Sequence, residues 1–262
     1  MCRHLAYLGA SVHLGRVLSE PEHSLVRQSW EPRRQRSGTI NADGFGVGWY
    51  AEGDPVPARY RRAGPIWGDL TFSDLTRVVR SGAVLAAVRD ATRPGAEGEA
   101  AAAPFTEGRW LFSHNGSLRD WPDAVAPVAA RLPPQELLSL TARTDSALIW
   151  ALVLNRLRAD PDLGPALAGA VRELAAASPG SRLNLLLTDG RAIAATAWGD
   201  SLWYLTDAAA QRTVVASEPY DDDSRWFEVP DRTLLTATRT RVDLVSLKET
   251  PAGAPHQGDE GQ

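Results

Sequence analysis

Strand-like patterns fill both ends of this chain, and sustained helical periodicity is confined to its middle. In the first half, Asp43-Gly44-Phe45-Gly46-Val47-Gly48-Trp49-Tyr50 reads as a turn feeding a strand whose glycines allow close backbone approach. Residues 83–88 and 109–113 are short and apolar enough for buried strands. Thr144 suits a helix N-cap, with Asp145 in the first turn and Ala147, Leu148, Ala151, Leu152 and Leu154 at helical spacing. A second helix is expected over 165–177, ended by Pro179-Gly180. Strand patterns return at 183–187, 192–198, 202–205, 213–216 and 242–247, with Asp189-Gly190 as a hairpin signal. Strands, then two helices, then strands predict an α+β fold with sheets face to face and helices outside. The βαβ alternation of a doubly wound parallel sheet is absent.

The 262 residues suffice for one large core, and residues 1–248 are expected to form a single domain. Residues 249–262 are polar and contain Gly and Pro, the composition of a disordered tail, and 94–103 reads as a mobile loop. A net charge of −4 with no basic block argues against nucleic-acid binding. No apolar run approaches the ~20 residues that span a bilayer, and the N-terminus lacks a secretory signal, so a cytoplasmic protein is expected. The five histidines form no His-Glu-x-x-His pattern, and the glycines of 43–48 lack the Lys-Ser/Thr of a phosphate loop. Neither a metal nor a cofactor is expected.

The chain has one cysteine, so no intrachain disulfide forms. A lone Cys is commonly a small buried hydrophobe. This one stands at position 2, and chain ends are poorly ordered unless tied down. Removal of Met1 would give Cys2 both a thiol and a free α-amine. That amine, with a pKa near ~8, can accept the thiol proton and later protonate a leaving nitrogen.

Three further groups each have two readings. Asn115-Gly116, in His114-Asn115-Gly116, is a common strand-ending turn. It could equally offer the Asn115 amide and the Gly116 N–H to a developing oxyanion. Arg89 is either a surface ion-pair partner or a bidentate clamp on a carboxylate. Asp145 is stabilised as a first-turn acid and, being ionised, could bind an ammonium group.

In combination the motifs say more. Cys2, then Arg89-Asp90-Ala91-Thr92, then His114-Asn115-Gly116, then Thr144-Asp145-Ser146 occur in that order. The chain here resembles the class II glutamine amidotransferase family, whose N-terminal-nucleophile fold is a four-layer αββα sandwich. The resemblance implies Cys2 as nucleophile, Asn115 and Gly116 as oxyanion hole, Arg89, Thr92 and His114 on the substrate, and Asp145 as reader of its amine. The family's Arg-Trp-Ala-Thr-His-Gly box is altered here, with Asp90, Arg93 and Pro94 replacing Trp, His and Gly.

Met1-Cys2-Arg3-His4-Leu5, Asn41-Ala42-Asp43-Gly44, Ala197-Trp198-Gly199-Asp200 and the run from Ala216-Ser217-Glu218-Pro219 to Asp223 are similar to one branch of that family. It comprises the γ-glutamyl amidohydrolases of ergothioneine biosynthesis, which release glutamate from γ-glutamyl-hercynylcysteine sulfoxide. The resemblance implies that reaction, through a Cys2 thioester, on a small molecule and without an obligate protein partner. The alternative is a glutaminase subunit that feeds ammonia to a separate synthase. A hercynyl group carries a trimethylammonium, which aromatic faces with nearby acids hold well. Tyr220, Asp221, Asp222 and Trp226 are therefore expected at the distal end of the pocket, against the competing reading of a solvated acidic loop beside a core Trp.

Overall fold

A computed structural model describes residues 2–36, 38–91 and 98–248. Thr92 and the 249–262 tail lie outside the described residues, as does part of the 94–103 segment. Along the first strand, β1 (Arg3–His13), side chains alternate between two apolar layers. Leu5 and Tyr7 join one core, and Ala6 and Leu8 another. A strand buried on both faces needs cover on both sides, and the chain supplies it with four layers.

The remaining strands are β2 (Phe45–Trp49), β3 (Ala58–Arg62), β4 (Arg80–Val88), β5 (Phe105–Glu107), β6 (Trp110–Ser117), β7 (Arg182–Thr188), β8 (Ile193–Ala197), β9 (Trp203–Asp207), β10 (Arg212–Ala216), β11 (Phe227–Glu228), β12 (Thr233–Ala237) and β13 (Val242–Ser246). They form a seven-stranded sheet, β11-β9-β10-β1-β4-β2-β3, and a six-stranded sheet, β13-β12-β8-β7-β6-β5. All the pairings are antiparallel. Short helices α1 (Gly15–Leu18), α2 (Leu25–Gln28) and α3 (Leu70–Val78) cover the outer face of the larger sheet through Val17, Leu18, Leu25 and Phe72. Two more short helices, α4 (Ala126–Ala129) and α5 (Pro134–Leu138), precede the long pair α6 (Asp145–Ala159) and α7 (Leu163–Ala177), which covers the smaller sheet. The predicted α+β sandwich, with sheets in the middle and helices outside, is the observed architecture.

The layer between the sheets mixes small residues, Ala6, Ala83, Ala195, Ala197 and Ala237, with larger ones such as Leu8, Leu85, Leu111, Leu186 and Leu235. Small side chains let the sheets approach, and Gly48 of β2 marks the tightest fit: a methyl there would stand 2.7 Å from both Leu111 methyls on β6. Of the strand glycines singled out in 43–48, Gly48 thus packs one sheet on the other, while Gly46 gives room to the Ala103 carbonyl and Pro104.

Both long helices match their sequence signals. Thr144 caps α6, its Oγ1 accepting from Ala147 N at 3.2 Å. The segment 114–116 differs from expectation. Instead of following its strand, it lies within β6, with Asn115 paired to Asn184 and Gly116 to Leu183. Pairing with β7 carries the ladder through the Asn-Gly and no turn forms. β1 itself, β3, β5, β11, β12 and the short helices had no distinct pattern in the sequence.

Candidate active site

Cys2 precedes β1, a central strand flanked by β10 and β4. Arg3 pairs with Val88 at the end of β4, so Cys2 emerges beside Arg89 and Asp90. The end of β6 in the facing sheet brings Asn115 to the same place: Cys2 N donates to Asn115 Oδ1 at 3.1 Å. That bond spans 113 residues of sequence and joins the two sheets at Cys2. Asn115 is fully buried, and its Nδ2 has no partner among the described residues. A buried donor left unpaired costs about 1–3 kcal/mol, which a fold retains only for a reason. Here the idle N–H group belongs to the side chain that accepts from Cys2 N.

Gly116 follows with φ +154, and a Cβ there would collide with the Arg182 carbonyl. Only glycine fits, which leaves its backbone N–H close to the site. His114 is buried and engaged at both ring nitrogens, with Ser146 Oγ at 3.0 Å from Nδ1 and Arg182 O at 3.0 Å from Nε2. Since a carbonyl only accepts, Nε2 donates to Arg182 O. The ring ties β6 to β7 and to the start of α6 and is not a free base.

Asp145, in the first turn of α6, accepts from Leu118 N at 3.0 Å and Ser146 N at 2.8 Å. Arg89 donates through Nη1 to Asp43 O at 3.2 Å, and no carboxylate pairs with it among the described residues. Asp43 builds this corner: its N–H donates to Arg89 O at 2.9 Å and its Oδ2 accepts from Ala91 N at 2.7 Å. Cys2, Arg89, Phe105, Ser113, His114 and Ser146 line a narrow cleft. A cation with unused donors therefore stands on one wall, with Asp145 close enough for its charge to act on Cys2.

Burial pushes the Cys2 thiol above its ordinary pKa. The N-terminal positive charge, a hydrogen bond from the Asp90 backbone and the Arg89 charge oppose this, and Asp145 adds to it. A thiol with a raised pKa is protonated at neutral pH, so attack needs a base within reach. Among the described residues no histidine is placed to serve: His114 is engaged, and burial lowers the His4 pKa to about 3, its Nδ1 meeting Ser113 Oγ at 3.2 Å.

The structure thus brings Cys2, Arg89, His114, Asn115, Gly116 and Asp145 together. It does not bring Tyr220, Asp221, Asp222 or Trp226 into the cleft. Tyr220 and Trp226 are buried beneath α1–α3, edge to face with centroids 5.3 Å apart. Asp221 accepts from the Trp226 indole at 2.7 Å, and Asp222 pairs with Arg33 and His23. Asp43, Ser113 and Ser146 are additions that sequence reasoning passed over. Asp43 sat in a quoted motif without a role, and the two serines gave no signal apart from their neighbours.

A model of class-II glutamine amidotransferases matches residues 21–210. The gamma-glutamyl-hercynylcysteine sulfoxide hydrolase of Mycobacterium tuberculosis (strain CDC 1551 / Oshkosh) is 40% identical over 247 residues, covering 94% of this chain and 97% of that protein. Its namesake from Mycolicibacterium smegmatis is 38% identical, covering 94% and 100%. Among solved structures, a glutamine aminotransferase class-II domain protein from Silicibacter pomeroyi superposes with TM-score 0.67 at 26% identity, over 95% of this chain and all of that one. The family match spans Arg89, Asn115, Gly116 and Asp145, and the mycobacterial relatives extend the likeness to most of the chain: it belongs to the class-II glutamine amidotransferase family.

Proposed function

We propose that the chain is an N-terminal-cysteine amidohydrolase that cleaves γ-glutamyl-hercynylcysteine sulfoxide into glutamate and hercynylcysteine sulfoxide. The observation that carries the mechanism is the buried, unpartnered Asn115 Nδ2 beside Cys2. Removal of Met1 leaves the α-amine at Cys2 N. The neutral amine takes the thiol proton as sulfur attacks the γ-carbonyl carbon, and Asn115 Nδ2 and Gly116 N–H donate to the resulting oxyanion. Collapse breaks the C–N bond, and the α-ammonium protonates the leaving nitrogen. Water, deprotonated by the same amine, then attacks the thioester, releasing glutamate and restoring the thiol. Arg89 and Asp145 grip the α-carboxylate and α-ammonium of the glutamyl half, a pairing that reads both charges at fixed separation. The substrate follows from what the mycobacterial relatives are named for.

The test is a comparison of turnover on the trimethylated γ-glutamyl conjugate and on free glutamine, with intact-mass measurement of the N-terminus. The conjugate should be preferred, active protein should begin at Cys2, and Cys2→Ala should abolish turnover while preserving the fold. Faster hydrolysis of glutamine would make the chain a glutaminase. Activity with Met1 fully retained would rule out the amine as base.

A further inference from the structure

Arg3 and Glu218 are both fully buried, although charged side chains seldom are unless paired. Arg3 Nε donates to the Cys2 carbonyl at 2.9 Å, and its Nη1 stands 3.8 Å from Glu218 Oε2. The two Glu218 oxygens also accept from Arg33 N at 2.9 Å and Arg34 N at 2.7 Å. One carboxylate thus holds the residue behind the nucleophile and a stretch of backbone from the far side of the sheet. That segment returns to the cleft at its other end. Gly38 passes so close to Asp90 that a Cβ would strike its carboxylate, and Asp43 anchors Arg89 and Ala91. Next to Glu218, Ser217 Oγ accepts from His4 N at 3.0 Å and Ser217 N donates to His4 O at 2.9 Å, locking this corner to β1.

The geometry bears on a problem peculiar to a terminal nucleophile. Once Met1 is gone, no peptide bond holds Cys2 from its N-terminal side, and free chain ends fray. Yet its amine must reach the thiol proton and later the leaving nitrogen, so both groups on one residue need a fixed orientation. Asn115 holds the nitrogen side; the carbonyl side is held by Arg3. We infer that Arg3 and Glu218 are positioning residues for Cys2, fixing its carbonyl and hence its amine and thiol against the backbone at residues 33–34. The inference rests on Cys2 being the nucleophile.

The rival role is purely structural, and charge pairs allow the two to be separated. Removing one member of a buried pair strands the other charge and destabilises the fold, whereas replacing both with apolar side chains of similar volume is often neutral or stabilising. Glu218→Gln should lower both Tm and kcat. The double variant Arg3→Met/Glu218→Leu strands no charge and should regain part of the lost Tm, the remainder reflecting the acceptor lost by Arg33 N and Arg34 N. Its kcat should remain at least about 10-fold low, as expected for a displaced reacting group, with KM changed by no more than about threefold. The pH profile of Cys2 alkylation by iodoacetamide, which needs no substrate contact, should also differ from wild type in the double variant. Recovery of kcat together with Tm would overturn the inference. So would a double variant that does not fold, since the pair would then be required by the fold itself. A wild-type enzyme still active after complete Cys2 alkylation would sink the nucleophile assignment, and this inference with it.

Discussion

On the proposed mechanism, Asn115 separates what serves the fold from what serves the reaction. Its Oδ1 accepts from Cys2 N, while its Nδ2 is buried and idle. Truncation to alanine loses one hydrogen bond, worth about 1 kcal/mol, but also removes an unsatisfied donor whose burial costs about 1–3 kcal/mol. The two nearly cancel, so Asn115→Ala should melt close to wild type. In the reaction nothing cancels. Loss of one oxyanion donor lowers kcat by about 10²–10³, with KM little changed because the ground-state carbonyl asks less of that donor. Steady-state kinetics and a thermal melt on the same preparation check both halves. A drop in Tm with kcat intact would reassign Asn115 to holding the sheets together. At this scale the sequence was most legible where a residue type admits few substitutes, as with a position-2 Cys or a Gly in Asn-Gly. It was least legible for Tyr220 and Trp226: aromatic residues beside acids look alike whether they hold a cation or, as Trp226 does with Asp221, hydrogen-bond across a covered core.

Between elements, the decisive contact is the glycine-rich face of β2 against β6. Leu111 is fully buried and lies four residues before Asn115 on the same strand. A methyl at Gly48 would meet both Leu111 methyls at 2.7 Å and Pro104 Cγ at 3.2 Å. Gly48→Ala should therefore destabilise by about 1–3 kcal/mol, the usual penalty for overpacking, and lower kcat as well, because the wedge moves β6 relative to the sheet that carries Cys2. Denaturant titration with kinetics tests this; unchanged values for both would mean the sheets have room to spare. The pattern of local elements was readable from periodicity and turn chemistry, and both long helices and most strands fall where their residues put them. Sheet order was not readable. β1 pairs with β4 and with β10, partners distant in sequence, and nothing in a single strand's alternation says which other strand it joins. For the same reason Asn115-Gly116 looked like a turn: its ladder partner is some 68 residues on.

For the molecule as a whole, acid weakens the fold through a buried ring two residues from Cys2. His4 is fully buried, and burial first, then the charges of Arg3 and His114, brings its pKa to about 3. An unfolded chain would protonate that ring near pH 6.5. The native state therefore binds fewer protons than the unfolded state between those values. The contribution of neutral His4 to stability is fully present above pH 6.5 and is lost as pH falls toward 3. The total is roughly 4–5 kcal/mol, a large share of the 5–15 kcal/mol typical of a folded domain. The lowered carboxyls of Asp222 and Asp223 act with the same sign, but only below their unfolded values near 4. Asp200 acts in the opposite sense, because burial raises its carboxyl above the usual range and proton uptake as pH falls then favours the native state. The slope of the wild type alone thus mixes several groups, and the comparison with His4→Gln isolates one. Unfolding free energies from denaturant titration at pH 7.5 and 4.5 should differ by about 3 kcal/mol more in the wild type than in His4→Gln, whatever the absolute stability of the variant. Equal differences in the two proteins would mean that His4 is protonated, or exposed, in the native state, and that the corner formed by Arg3, His4 and Ser217 is looser than its hydrogen bonds imply.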